Sequence, residues 1–385
     1  MDPVSSLPAL AALFTASMTI HFITKRVGTP SAQGRFASID GLRGYLAFFV
    51  FLHHSAIWYF WLRTDQWKVP PSNLYTHFGQ SSVALFFMIT AFLFFSKLID
   101  GRKRGIDWEK LFISRFLRLV PLYLLVMLLL FLIVTLLSNS TLNEPFLKLI
   151  KGVIRWVGFT ILGAPDLNGI SRTSTIVAGV TWSLPYEWFF YFLLPLFALA
   201  LGLKPSLPYL ILSLVCIASL PIWPLQIQHL LPFLGGIASS FLVRIDAFRQ
   251  FSVKGIASLL VFACISIAVA IFPSAYETLP LLLLSLAFTL IAAGNTLFGI
   301  LISPISRSLG ELAYSIYLLH GIILFVVFTF IVGTTNAKNL SPLMHWMLII
   351  GLSPILISIS FLTFRFIERP CMQSTNTVTN YLRSR

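Results

Sequence analysis

A chain of 385 residues with 57% hydrophobic and only 10% charged residues, at a mean hydropathy of +0.88, lacks the polar surface of a water-soluble domain, where charged residues make up about 25%. Its apolar runs reach helix length, which excludes a membrane β-barrel built of alternating segments of about 10 residues, and leaves the all-α class: a polytopic membrane helical bundle. The net charge of +14 fits Lys and Arg retained in cytoplasmic loops. No basic segment is interleaved with aromatics as a strand-binding groove requires, so no nucleic-acid partner is expected.

A span needs about 20 apolar residues. The first stretch, Leu7 to Ile23, has no Lys or Arg before it and is followed by Lys25 and Arg26. That is not the charge order of a signal peptide, and the stretch reads as an N-terminal helix that starts outside. Ten stronger spans follow at 40–62, 80–99, 116–137, 181–202, 207–223, 229–244, 255–272, 279–298, 311–333 and 345–367. The expectation is therefore a ten-span core plus one extra N-terminal helix. The segment from Phe146 to Leu162 carries Lys148, Lys151 and Arg155 at helical spacing beside Leu149, Ile154 and Trp156, the pattern of an amphipathic helix lying on the membrane. If it does not span, all of the 27 Lys and Arg fall on one side except Arg63, Lys68, Lys148, Lys151, Arg155, Arg172 and Lys338. This asymmetry puts the N-terminus outside and the C-terminus in the cytoplasm. One membrane domain, 35–370, is expected between an N-terminal helix and linker, 1–34, and a cytoplasmic tail, 371–385. Cys216, Cys264 and Cys371 are far apart, and two lie in apolar runs, so they read as small apolar packers rather than a disulfide framework or metal cluster.

Ionisable residues inside spans are expensive and mark candidate sites. The first strong span reads RFASIDGLRGYLAFFVFLHHSAIWYF. Arg43 and His54 are close to three whole turns apart, so they share a face about 16 Å apart along the axis. Asp40 and Arg43 can pair at i, i+3, while His53 points about 100° away from His54. An imidazole suits proton transfer near neutral pH, and a packing histidine is the plain alternative. In the basic stretch KLIDGRKRGIDWEKLFISRFLRLVPLY, Arg115 and Arg118 share a face just before Pro121 and could grip a polyanion such as pyrophosphate, or serve only as an interfacial anchor. TWSLPYEWFFYFLLPLF places Glu187 inside an aromatic helix, expected in the outer half, where a carboxylate needs a partner or a task. GELAYSIYLLHGIILF carries Glu311, Tyr314, Tyr317 and His320, with Tyr317 and His320 on one face.

In this order, the DGLRG segment with His54, the Arg115/Arg118 pair leading into LVPLY, the WSLxxE segment, YSIYLLH and the closing FRFIERP resemble the membrane-bound acyltransferase 3 family. The resemblance runs from Arg35 to Pro370. One departure stands out: Thr90 and Ala91 occupy the place of a Ser-Gly pair in LFFMITAFLF. The resemblance implies a stand-alone O-acyltransferase, with acyl-CoA, usually acetyl-CoA, as donor and a cell-surface or lipid-linked glycan as acceptor; the basic loops fit a bacterial inner membrane, with a eukaryotic internal membrane as the alternative. Arg115 and Arg118 would hold the coenzyme phosphates, with Arg43 at the mouth of the bundle. His54 would be the general base on the acceptor hydroxyl or a covalent acyl relay. Glu187 would orient the acceptor or the imidazole, and Asp40, Trp182, Ser183, Tyr314, Tyr317 and His320 would line the substrate pocket. No metal is implied, since thioester acyl transfer does not require one. The competing class is a transporter or lipid flippase, because intramembrane charges also mark ion pathways; such folds often show paired halves with broken helices, and no such symmetry is visible. Acyl-CoA binding separates the two.

Overall fold

A computed structural model describes residues 2–28 and 36–384. The expected boundary at 34/35, the start of the resemblance at Arg35, and Arg385 lie outside the described residues. Among the described residues the only regular secondary structure is helical, and no strand forms. The helices are α1 (Leu7–Val27), α2 (Ala37–Thr64), α3 (Asn73–Arg104), α4 (Trp108–Leu137), α5 (Phe146–Val157) and α6 (Leu184–Ala200). They continue as α7 (Leu207–Ala218), α8 (Ile227–Leu242), α9 (Asp246–Ser252), α10 (Gly255–Ile271), α11 (Thr278–Ala292) and α12 (Pro304–Glu311). The last are α13 (Ala313–Val326), α14 (Thr334–Asn339), α15 (Pro342–Thr363), α16 (Arg369–Gln373) and α17 (Thr375–Arg383).

All eleven expected stretches contain helix, and among the described residues seven helical segments are long and apolar enough to cross a membrane, or eight if the bent pair α8 and α9 is one span. The protein is an integral membrane protein built as a polytopic helical bundle. Several boundaries differ from the apolar runs. The run at 229–244 forms α8 and then bends by 107° into α9. The run at 279–298 ends as a helix at Ala292, because the chain turns through left-handed conformations at Gly294 (φ +118), Leu297 and Phe298. Helices α7, α10 and α11 have 12, 17 and 15 residues, short of the about 20 that a perpendicular span needs. The run at 311–333 is split at Leu312 into α12 and α13, and a π-helical turn, Val327–Ile331, follows α13.

The helices divide into two compact units. The first comprises Met1–Leu93 and Ile227–Ser360. Its central helix is α2, whose inner surface includes Leu42, Leu46, Ala47, Phe48, Phe51 and Leu52, all buried. Gly44 and Gly310 let α2 and α12 touch backbone to backbone, and Gly41 does the same for α2 and the 3-10 turn Ile300–Ile302 just before α12. A Cβ on Gly41 would lie 1.9 Å from the Leu301 carbonyl oxygen, one on Gly44 2.5 Å from the Leu309 carbonyl carbon, and one on Gly310 1.9 Å from the Asp40 carbonyl oxygen. Small residues of this kind drive helix association where no hydrophobic effect operates between helices. The Tyr45 hydroxyl, 2.8 Å from Ser306 Oγ, fixes the register of the crossing. The extra N-terminal helix α1 presents Ala9, Ala12, Ala16 and Ile20 to the bundle and turns Leu7, Leu10, Phe14 and Phe22 outwards. Its start is pinned by Tyr75, whose hydroxyl donates to the Ser5 carbonyl (2.8 Å), and by Trp346, whose indole donates to the Pro3 carbonyl (2.8 Å). Ala91 packs where the backbone of α8 comes closest to α3: a Cβ on Gly236 would lie 2.2 Å from the Met88 carbonyl oxygen and 2.8 Å from the Ala91 methyl. A small side chain is required there for steric reasons.

The second unit comprises Phe94–Gln226 and Phe361–Arg385. Helix α4 is capped by Asp107, whose carboxylate accepts from the Lys110 backbone N–H at 3.1 Å. The stretch between α4 and α6 is a folded cap. Tyr123 of α4 donates to the Trp156 carbonyl (2.5 Å) and stacks on Phe159 (4.3 Å between ring centres). The Trp156 indole in turn donates to the Pro165 carbonyl (2.8 Å). Asn168 ties the cap together by accepting from the Asn143 N–H (2.8 Å) and donating to the Thr141 carbonyl (2.7 Å). The expected amphipathic helix is α5, which ends at Val157 rather than Leu162. Cys216 and Cys264 are buried and unpaired, and Cys371 is half-buried.

Candidate active site

The first unit contains the histidines. His53 and His54 sit mid-way along α2, and their rings, 4.9 Å apart and 73° to each other, take opposite duties. His53 Nδ1 donates to the Tyr75 carbonyl at 2.7 Å, and its ring fills the space over Gly79, where a Cβ would lie 2.5 Å from Cδ2. It joins α2 to α3. His54 faces α13. Its Nδ1 is 3.0 Å from the Val50 carbonyl oxygen one turn back and 3.0 Å from Nε2 of His320. His320 Nδ1 is 3.0 Å from the Ile316 carbonyl oxygen. The two imidazole ring centres are 5.0 Å apart and the planes are tilted by 30°. His54 is 9% exposed and His320 fully buried.

Around this pair lie further aromatic rings. Phe51 meets His320 edge-on at 6.4 Å, and Tyr317 does so at 6.3 Å. Tyr317 also contacts Phe86 of α3 at 6.1 Å. Trp67, in the connection between α2 and α3, lies parallel to His54 at 6.2 Å and packs edge-on against Trp58 and Trp61. Tyr314 and Tyr317 are buried on α13. Asp40 and Arg43 lie in the first two turns of α2, Asp40 exposed and Arg43 half-buried.

Arg115, Arg118 and Glu187 fall in the second unit. Arg115 reaches from α4 to α6, where its guanidinium is hydrogen-bonded to the Tyr191 hydroxyl and lies within electrostatic range of Glu187 and Arg118. It also donates to Ser114 Oγ at 3.3 Å and sits 5.0 Å from the Phe94 ring centre. Glu187 and Tyr191 are four apart and share one face of α6, so one helix brings both to the arginine. Arg118 points instead to α16, with Nη1 3.4 Å from Met372 Sδ. Lys97, at the end of α3, lies within electrostatic range of Arg115 and Asp107. Trp182 and Ser183 lie on the 3-10 turn Val180–Ser183 just before α6. Trp182 is edge-on to Tyr186 at 5.6 Å, and the Ser183 hydroxyl donates to the Val180 carbonyl at 3.3 Å.

The family model of an acyltransferase domain matches residues 36–365. The chain belongs to the acyltransferase 3 family. The match covers the histidine pair, the arginines of α4 and the acidic helix α6 in a single stretch. No curated protein and no solved structure matches the chain. As a member of this family the protein is a membrane acyltransferase. Among the described residues, no group of three or more His, Cys, Asp or Glu side chains is placed to hold a metal ion.

Two residues of the site are not singled out by sequence reading. Tyr191, the hydrogen-bond partner of Arg115, carries a signal, since it follows Glu187 by four residues on a helix. Trp67 carries none: it lies in a connecting segment, and only the fold lays it over His54.

Proposed function

We propose that the protein transfers an acetyl group from cytoplasmic acetyl-CoA to a hydroxyl of a cell-surface or lipid-linked glycan, with His54 as general base. The observation that carries this reading is the state of the His54 ring. Its Nδ1 faces the Val50 carbonyl oxygen, which can only accept, so Nδ1 holds the hydrogen and the lone pair of the neutral ring is on Nε2. A basic nitrogen on a buried imidazole is what an acceptor hydroxyl needs, because the hydroxyl is far too weak an acid to attack a thioester unaided.

The chemistry balances with this chain's groups. The hydroxyl oxygen bonds to the thioester carbonyl carbon while its proton goes to Nε2. The C–S bond then breaks, and the departing sulfur takes that proton back. Arg115, Arg118 and Arg43 are the proposed holders of the coenzyme's phosphates, by charge-assisted and bidentate hydrogen bonds. Glu187 would keep Arg115 oriented, and Asp40, Trp182, Ser183, Tyr314 and Tyr317 would contact the substrates. The Lys and Arg asymmetry supports a cytoplasmic C-terminus and a bacterial inner-membrane location.

The test is the O-acetyl content of the host's surface glycan, read by NMR in cells carrying wild-type protein or His54→Ala at equal expression. One acetyl signal should disappear with the variant. An unchanged spectrum would remove His54 from the chemistry or the glycan from the acceptor class, and acetyl-CoA binding would tell an enzyme from a transporter.

A further inference from the structure

We infer that His320 is the positioning residue for His54: it accepts the Nδ1 hydrogen of His54 and so fixes which nitrogen of that ring is the base. This rests on the reading of His54 as the base and gives His320 a task other than lining the acceptor pocket.

Three contacts lie in series. The Ile316 carbonyl oxygen is one turn back on α13, 3.0 Å from His320 Nδ1, and can only accept, so that nitrogen holds the hydrogen. The lone pair of a neutral His320 is therefore on Nε2. That lone pair is 3.0 Å from Nδ1 of His54, whose hydrogen it shares with the Val50 carbonyl. The chain closes only one way: hydrogen on both Nδ1 atoms, lone pairs on both Nε2 atoms. The pair behaves like the base and orienting group of a hydrolytic triad, with a neutral imidazole in place of the carboxylate. His320 itself is held by α13, which is buried around it at Ile316, Tyr317, Leu319 and Leu324.

Each step is a proton transfer that balances. When His54 Nε2 takes the acceptor's proton, the resulting cation keeps its Nδ1 hydrogen against the His320 lone pair, and the positive charge is shared by two rings. When the sulfur leaves, the Nε2 proton leaves with it and the starting tautomers return. His53 takes no part, since its own Nδ1 hydrogen goes to the Tyr75 carbonyl.

Two arms test this in the full-length protein reconstituted in lipid nanodiscs. In the first, acetyl transfer is compared for wild type, His320→Phe, which keeps a ring and removes the acceptor, and His320→Gln, whose amide oxygen can accept from His54. His320→Phe should lower kcat by about a hundredfold or more with both KM values within about threefold, and His320→Gln should recover to within about tenfold of wild type. His320→Phe near wild type, or His320→Gln as inactive as His320→Phe, overturns the inference. The second arm needs no activity and guards against a misfolded variant: 15N NMR of histidine-labelled wild type, with His54 assigned by its loss in His54→Gln. The expected spectrum shows His54 protonated at Nδ1 with a through-hydrogen-bond coupling to His320 Nε2. Protonation at Nε2, or no coupling, overturns the pairing. The expected spectrum in a protein without acyl transfer would instead defeat the acyltransferase chemistry proposed for His54 and leave the pair standing.

Discussion

His53 and His54 are neighbours in sequence and opposites in role because a helix turns about 100° per residue. One ring closes a helix contact and the other meets a second imidazole. His53→Ala should therefore act on stability: it removes a side-chain donor to the Tyr75 carbonyl and opens a hole over Gly79, which together cost about 1–3 kcal/mol. A lowered Tm in lipid, with residual transfer activity per folded molecule close to wild type, is the expected result. A His53→Ala variant that is as stable as wild type but inactive would mean that the base is His53. At this scale the sequence shows which residues stand out, since a histidine or arginine in an apolar helix is conspicuous. It does not show their partners. His54 and His320 are 266 positions apart, and nothing local in either segment announces the other.

At the scale of the element, apolar runs announce helices well and helix ends poorly. Most runs became helices close to the expected limits. The run at 279–298 did not, because hydropathy is blind to the turn that Gly294, Leu297 and Phe298 make. Likewise the sequence pattern marks the amphipathic helix α5 between α4 and α6 but not the backbone-directed bonds from Tyr123, Trp156 and Asn168 that fold this connection into a cap. The glycines of α2 are legible as a motif and become explicable only where α12 crosses them. Gly41→Ala or Gly310→Ala would force a methyl group against a carbonyl oxygen at 1.9 Å, so the helices must part, at a cost of about 1–3 kcal/mol or more. Folded yield in detergent should fall sharply for both. Gly351→Ala on α15 is the control: nothing lies within 4 Å of its Cβ, and the helix should gain up to about 1 kcal/mol. Equal loss in all three variants would show that the close approach is not what those glycines provide.

For the molecule as a whole, family membership extends over both compact units, so the histidine pair and the arginines of α4 belong to one matched stretch of chain. The C-terminal helix α17 is tethered to the start of α4 through Arg383, whose Nη2 lies 2.5 Å from Asp107 Oδ1 and whose Nε lies 2.8 Å from Glu109 Oε2. The bond from Arg383, with that from the Lys110 N–H, holds the Asp107 carboxyl below the ordinary carboxylate range. A group so lowered stabilises fully above its unfolded value and ceases to as pH falls through its folded one. These groups are exposed and salt-screened, so the contribution is small and local. The protection of the α17 amides, relative to their intrinsic exchange rates, should hold from neutral pH down to about pH 4 and decline modestly below it, and Arg383→Ala should lower it modestly above about pH 4 and remove that pH dependence. A reporter fused to the C-terminus should respond only to cytoplasmic reagents; labelling from outside would reverse the proposed topology.

Helix α5 divides its circumference three ways. Gly152 and Trp156 face inwards, Lys148, Lys151 and Arg155 form a cationic strip, and Phe146, Leu147, Ile150, Ile154 and Val157 share an exposed arc within about 100°. Since Trp156 is also a bonding partner of Tyr123 and Pro165, the choice of solubilising medium has structural weight. A short-chain detergent that leaves that arc wet would strip the cap from α4 while the helical bundle still elutes as a sharp peak. Extracted preparations of this protein are therefore better judged by the environment of Trp156 than by their homogeneity on a column.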